Sequence, residues 1–168
     1  GVGDLKNVLT NVKTRGILGE VQLRNILNQI LAPQQFIENV STKKNSNDRV
    51  EFAVRLPGNQ EEILLPIDSK FPMDEYENIE KTLEKRIKQE AKNIIDKYVD
   101  APYTTDFAIM FLPTENLYTD VLKMPGLFEY LQNKYNVIVT GPWTLAAILN
   151  SLQIGFKTLA IQKRSSEV

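Results

Sequence analysis

Residues 50–69 restrict the fold more than any other stretch of the chain. Two runs rich in β-branched and aliphatic residues, 50–56 and 62–69, flank the turn signal Pro57-Gly58-Asn59-Gln60. Side chains alternate along a strand, so Phe52, Val54 and Leu56 share one side while Glu51, Ala53 and Arg55 share the other. On the returning run, Ile63, Leu65 and Ile67 share a side, and Leu64, Pro66, Asp68 and Lys70 share its opposite. Burial selects the register that pairs Leu56 with Ile63, Val54 with Leu65 and Phe52 with Ile67, which makes the apolar surface continuous. That register sets Glu51 directly across from Asp68, with Lys70 two residues further along the same face.

The rest of the pattern is built around this hairpin. Leu5, Val8, Leu9 and Val12 predict a helix over 3–13, and Thr14-Arg15-Gly16 predicts a break. A second helix over about 17–31 carries Leu23, Leu27, Ile30 and Leu31 and stops before Pro33. Residues 35–40 read as a strand and 41–48 as a polar loop. A long amphipathic helix is expected over 74–99, capped by Asp74, with Tyr76, Ile79, Leu83, Ile87, Ile94 and Tyr98 on one face. Residues 106–112 form a buried-type strand, and 115–133 are helical with an interruption at Pro125-Gly126. Residues 137–140 are a short strand, and a helix runs from Pro142 to about 160. Helices before, between and after the strands predict an α/β fold with a mixed sheet covered on both faces. The 168 residues suit one domain spanning 1–168.

Composition narrows the chemistry. The chain has no His and no Cys, which removes imidazole bases, thiolate nucleophiles, disulfides and most zinc ligation. A catalyst built here must use carboxylates, Lys, Tyr or hydroxyls, and carboxylates without imidazole favour a hard cation such as Mg²⁺ or Mn²⁺. No small-molecule cofactor is implied. Net charge is −1 and the pI about 5.6, so nucleic acid would have to be held by a local basic patch. The longest apolar runs fall short of a membrane span and no signal peptide is visible, so this domain itself is not expected to touch a membrane. A chain that begins at Gly1 and stops in the charged run 162–168 reads as a fragment cut from a longer protein.

Two carboxylates directly across a strand pair repel each other, and a divalent cation between them with a neighbouring ammonium relieves the repulsion. Such a cluster suits phosphodiester hydrolysis: the metal binds phosphate oxygens and acidifies a water, and the lysine stabilises developing charge. The plainer alternative is a solvated hairpin face with a surface ion pair between Asp68 and Lys70. Glu20 lies three residues before Leu23 and seven before Leu27, on the stripe that should pack inward, where a carboxylate needs a partner. Either it joins the acidic shell over the hairpin, or it serves the helix dipole with Arg15 or Arg24 nearby. Arg49 and Arg55, with Lys43 and Lys44, could line a DNA track, although a solvated loop is the simpler reading for the two lysines. Gly141-Pro142 reads as a plain turn more readily than as a phosphate cradle, and Glu115 and Tyr118 read as structural.

Several motifs together resemble one family. Arg15-Gly16-Ile17-Leu18-Gly19-Glu20-Val21-Gln22-Leu23, Val54-Arg55-Leu56-Pro57-Gly58, Leu65-Pro66-Ile67-Asp68-Ser69-Lys70-Phe71-Pro72 and Thr104-Thr105-Asp106 through Pro113-Thr114-Glu115 are similar to segments of RmuC proteins. So are Val137 to Pro142, Asn150-Ser151-Leu152-Gln153 and Lys163-Arg164-Ser165-Ser166. The resemblance covers nearly the whole chain in order. It implies a bacterial DNA-recombination factor that limits inversions at short inverted repeats, with a PD-(D/E)xK, restriction-endonuclease-like core. Asp68-Ser69-Lys70 would be the (D/E)xK element, Glu20 the helical acid, and Glu51 would stand where the family usually has Asp after Pro. Lys70, Asp68, Glu51 and Glu20 would form the catalytic set, with Asp68, Glu51 and Glu20 on the metal and Arg55, Arg49 and Lys70 toward DNA. Leu18 stands where Trp is common, and Trp143 where a small hydroxyl residue is usual. The resemblance also implies a cytoplasmic domain, a membrane anchor and coiled coil outside this segment, and oligomerisation through segments not present.

Overall fold

In the computed structural model, residues 12–58, 61–72 and 79–167 are described. The strands are β1 (Phe36–Val40), β2 (Val50–Leu56), β3 (Ile63–Ser69), β4 (Ala108–Phe111) and β5 (Val137–Thr140). The helices are α1 (Val12–Ile30), α2 (Ile79–Tyr98), α3 (Glu115–Lys123), α4 (Leu127–Tyr135) and α5 (Pro142–Glu167), with a single 3-10 turn at Pro33–Gln35. All five strands join one sheet in sequence order. The β1–β2 and β2–β3 pairs are antiparallel, whereas β3–β4 and β4–β5 are parallel. Parallel neighbours need crossovers, and α2 supplies the first while α3 and α4 supply the second.

Both faces are covered, as the sequence predicts. Leu23 and Leu27 of α1 and Leu145 and Leu149 of α5 pack on Phe52, Val54, Leu65, Ile67, Ile109 and Phe111. On the other face, Leu83, Ile87 and Ile94 of α2, with Leu117, Val121, Leu127 and Leu131 of α3 and α4, cover Met110, Val137 and Val139. Each such fully buried side chain contributes roughly 1.5–3 kcal/mol. Gln153 fixes α5 to the end of α1 by donating to the Ile30 carbonyl at 3.0 Å and pairing with Gln35.

The hairpin register is the predicted one: Phe52 faces Ile67, Val54 faces Leu65 and Leu56 faces Ile63. Strands β2 and β5 have the expected bounds, and β3 begins one residue later than expected. Val50 breaks the alternation by packing with Ala53 and Leu64. Opposite this end of β2, Asn39 of β1 takes a left-handed backbone (φ 50°), which turns the strand locally.

Three expectations need correction. The break at Thr14-Arg15-Gly16 does not occur, because α1 runs through it from Val12. One helical glycine costs about 1 kcal/mol, less than the burial of Leu23 and Leu27 provides. Strand β4 is shorter than 106–112, and α5 continues well past 160. Short apolar runs also understated α5. Within Pro142–Ser165 an 18-residue window has mean hydropathy 1.3, so this helix is long and apolar enough to cross a membrane by length and composition, yet its first turns are built into the core through Leu145 and Leu149. The helix expected over 3–13 falls almost wholly, and Asp74 and Tyr76 fall entirely, outside the described residues.

Candidate functional site

Because β3, β4 and β5 run parallel, their carboxyl ends share one rim, the place where open α/β sheets bind ligands. Asp68 and Ser69 close β3 at that rim, and Lys70 follows immediately. Extending the β2–β3 register by one step places Glu51 across from Asp68. The two acids are close enough there for Asp68 to disfavour ionisation of Glu51. Asp68 is 3% exposed, so this is no solvated surface pair. Ser69 donates its backbone N–H to Glu51 Oε1 at 3.2 Å and its hydroxyl to Oε1 and Oε2 at 3.0 and 2.8 Å. Burial, reinforced by the Asp68 contact and its charge, pushes the Glu51 carboxyl up to about 9. At neutral pH Glu51 therefore keeps its proton.

The Lys70 ammonium lies 2.9 Å from Asp68 Oδ2 and 3.4 Å from Glu90 Oε2 on α2. Burial works against its charge, but Asp68 and then Glu90 outweigh burial, so Lys70 titrates above the ordinary lysine range. Tyr98, also on α2, is pushed up to about 12 by burial and then by Asp68. Sequence reasoning missed Glu90, Ser69 and the polar role of Tyr98. Glu90 lies three residues past Ile87 and four before Ile94, on the edge of the buried stripe, and that spacing was the available signal.

Glu20 reaches this end of the fold but not the pair itself. Gly19 brings α1 against β3: a Cβ there would lie 3.1 Å from Pro113 Cγ and 3.3 Å from Ser69 Oγ. The Glu20 charge is felt at Glu51, where it is one of the influences raising the pKa. Its carboxylate, however, is half-exposed and paired with Arg24 at 3.4 Å, and Arg24 also holds Glu38 at 3.0 Å. Glu20 lies more than two turns into α1, so it is not the helix-start acid expected for the dipole, and Arg24 is its partner along the helix.

The basic residues are dispersed. Arg55 stands four residues along β2 from Glu51, roughly 13 Å of strand, and pairs with Glu62 at 3.4 Å. Arg49 is exposed and donates to the Asn39 carbonyl at 2.7 and 3.0 Å. Lys43 donates to the Asp96 carbonyl at 2.9 Å. At Gly141-Pro142 the first-turn N–H of Trp143 is taken by Glu115 Oε1 at 2.6 Å, so an internal carboxylate caps α5 and Glu115 is structural. Gly141 is needed for that approach, since a Cβ there would lie 2.9 Å from Glu115 Oε1 and from Tyr118 Cβ.

Asp68 Oδ2 is buried and receives no hydrogen bond beyond its ion pair with Lys70. With the adjoining Glu51 carboxyl it forms a two-acid set that suits Mg²⁺ or Mn²⁺, which use one or two carboxylates and fill their shells with water and phosphate. Among the described residues, no group of three or more acidic side chains is gathered to hold an ion, so Glu20 does not complete such a group.

The RmuC family matches residues 1–168 in full. The chain belongs to the RmuC family. The DNA recombination protein RmuC homologue of Xylella fastidiosa (strain Temecula1 / ATCC 700964) is 50% identical over 186 residues, covering 100% of this chain and 41% of that protein. The RmuC homologue of Chlamydia muridarum (strain MoPn / Nigg) is 30% identical over 177 residues, with 98% and 40% covered. That of Zymomonas mobilis is 26% identical over 164 residues, with 85% and 35% covered. This RmuC chain therefore spans about two fifths of the length of the Xylella and Chlamydia relatives. No solved structure matches it.

Proposed function

We propose that this RmuC domain acts in DNA recombination by hydrolysing DNA phosphodiesters at the Glu51–Asp68–Lys70 cluster, as a PD-(D/E)xK-type core. The observation that carries this reading is a buried Asp68 joined to both a second carboxyl and an ammonium at the carboxyl end of β3. Relatives named as DNA recombination proteins support DNA as the substrate. Asp68 and Glu51 would hold Mg²⁺ or Mn²⁺, which when bound supplies Lewis-acid activation of phosphate and water. Glu51 would release its proton to solvent on holding an ion, and Ser69 would keep its carboxylate oriented. Glu90 positions Lys70 beside Asp68, and the Lys70 ammonium stabilises charge that develops on the phosphate. Glu20 acts from outside the pair through its field on Glu51.

A second reading, a DNA-structure-binding module without turnover, is favoured by the engagement of Glu20 with Arg24 and by the absence of a three-acid group among the described residues. The deciding experiment incubates the domain with single-stranded, duplex and hairpin DNA, with and without Mn²⁺ or Mg²⁺. Ion-dependent cleavage lost in Asp68→Asn is the expected result. Salt-sensitive binding with no cleavage under any ion would favour the second reading.

A further inference from the structure

We infer that Trp143 is a stacking platform for an unpaired nucleobase, positioned to hold single-stranded or frayed DNA beside the Asp68–Lys70 cluster. This rests on the DNA reading above and assigns the strand state of that DNA. Trp143 is 78% exposed, the most exposed large apolar side chain among the described residues, and it is not on a loop tip. Pro142 precedes it, and its own N–H is fixed to Glu115 at 2.6 Å, so its backbone is pinned in the first turn of α5. A rigid aromatic face held in water has little use in packing this domain and is well suited to receive a flat, apolar partner.

Its place in the fold selects that partner. Lys70 follows β3, Pro113 to Glu115 follow β4, and Trp143 follows β5, all on the same rim. Two strand spacings separate β3 from β5, roughly 10 Å, about three nucleotides of stacked strand at 3.4 Å each. The one ammonium placed at this rim among the described residues, that of Lys70, is already paired with Asp68 and Glu90, and Trp143 offers bases contact area. The wider electrostatics agree: net charge is −1, and Arg24 and Arg55 are already paired with glutamates. Affinity for DNA must then draw on stacking as well as on phosphate contacts. Bases of an intact duplex are stacked on one another and hide their faces, so the platform selects unpaired ones.

Trp143 is the single tryptophan of the chain, which makes its emission a direct reporter. The test titrates the 168-residue chain with fluorescein-labelled oligothymidylate and with a blunt duplex of equal length, in EDTA so that nothing is cleaved. Tryptophan emission and label anisotropy are read together for the parent, Trp143→Phe and Trp143→Ala, with circular dichroism checking the fold. The single strand should quench Trp143 emission and the duplex should not. Trp143→Ala should weaken single-strand binding roughly ten- to hundred-fold, and Trp143→Phe should retain most of it. Anisotropy showing tight single-strand binding, with emission unmoved and Trp143→Ala unimpaired, overturns the inference while the DNA reading survives. No anisotropy change with any DNA overturns both, and would leave the rim as a surface for protein.

Discussion

Ser69 gives its hydroxyl to both carboxyl oxygens of Glu51, at 3.0 and 2.8 Å, from the position between Asp68 and Lys70. One tripeptide on β3 therefore supplies the first acid, the ammonium and the group that orients the second acid. Ser69→Ala removes that hydroxyl and leaves only the backbone N–H on Glu51. We expect a loss of about 1 kcal/mol in stability, the usual worth of such a bond, and Mn²⁺ affinity reduced several-fold. Thermal melts and calorimetric titration measure the two effects. An unchanged Mn²⁺ affinity would show that Glu51 needs no such support.

Asp68 and Lys70 form a mostly buried pair, so removing either one affects more than turnover. Lys70→Ala strands the Asp68 carboxylate in the interior, and we expect a cost of about 2 kcal/mol, below that of a fully buried pair because part of Lys70 reaches solvent. Asp68→Asn removes the charge itself and should abolish cleavage while the fold persists. Lys70→Ala should suppress turnover but weaken Mn²⁺ binding much less, since an ammonium is no ligand. The double variant should be more stable than the sum of the single losses, with a coupling of about 1–3 kcal/mol. Purely additive losses in denaturant melts would refute the pairing.

Gly19 sets the distance between α1 and the site. Alanine improves helix propensity by about 1 kcal/mol, but its Cβ would press on Pro113 Cγ at 3.1 Å and Ser69 Oγ at 3.3 Å. We expect Gly19→Ala to be close to neutral in stability. Gly19→Val, with two further methyl groups in that gap, should cost about 2 kcal/mol or more and should disturb the Ser69–Glu51 bonds. Cleavage and melting temperature should fall together in the valine variant, and a valine variant as active as the parent would show that α1 need not approach so closely.

The hairpin and its acid pair were legible in the sequence because a two-residue period admits one register with a continuous apolar face, and Glu51 and Asp68 follow from it. The faces of α1 and α2 were legible from their apolar spacing for the same reason. Glu90 was not, because contacts between a helix and a strand end depend on how α2 lies across the sheet, which no local period encodes. Arg55 lies apart from the acid pair for a reason the strand period does encode. It shares an alternation face with Glu51, but four residues of extended chain carry it to the turn end of the hairpin, where Glu62 takes it. For Glu20 the sequence left two partners open, and the i,i+4 spacing to Arg24 is the one the structure uses.

The proton that Glu51 keeps gives the last prediction, and its sign is opposite to that of an ordinary salt-bridged acid. Glu51 titrates near 9 in the folded protein, against an ordinary value of 4.5, because burial and Asp68 disfavour its charge. Between those values the folded chain keeps a proton that the unfolded chain has released. The unfolded state then binds fewer protons, so stability without metal is fully present below about 4.5 and declines as pH rises toward 9. A cation that takes Glu51 as a ligand must expel this proton, so Mn²⁺ affinity should rise with pH, by up to about tenfold per unit below the folded pKa. Calorimetry in two buffers of different ionisation heat should count close to one proton released per ion at neutral pH. Glu51→Gln, which mimics the protonated acid, should flatten the decline of melting temperature between pH 6 and 9, raise it at pH 8 and weaken Mn²⁺ binding. A parent protein whose metal-free stability is flat across that range, or whose slope the glutamine variant reproduces, would show that Glu51 holds no proton in the fold.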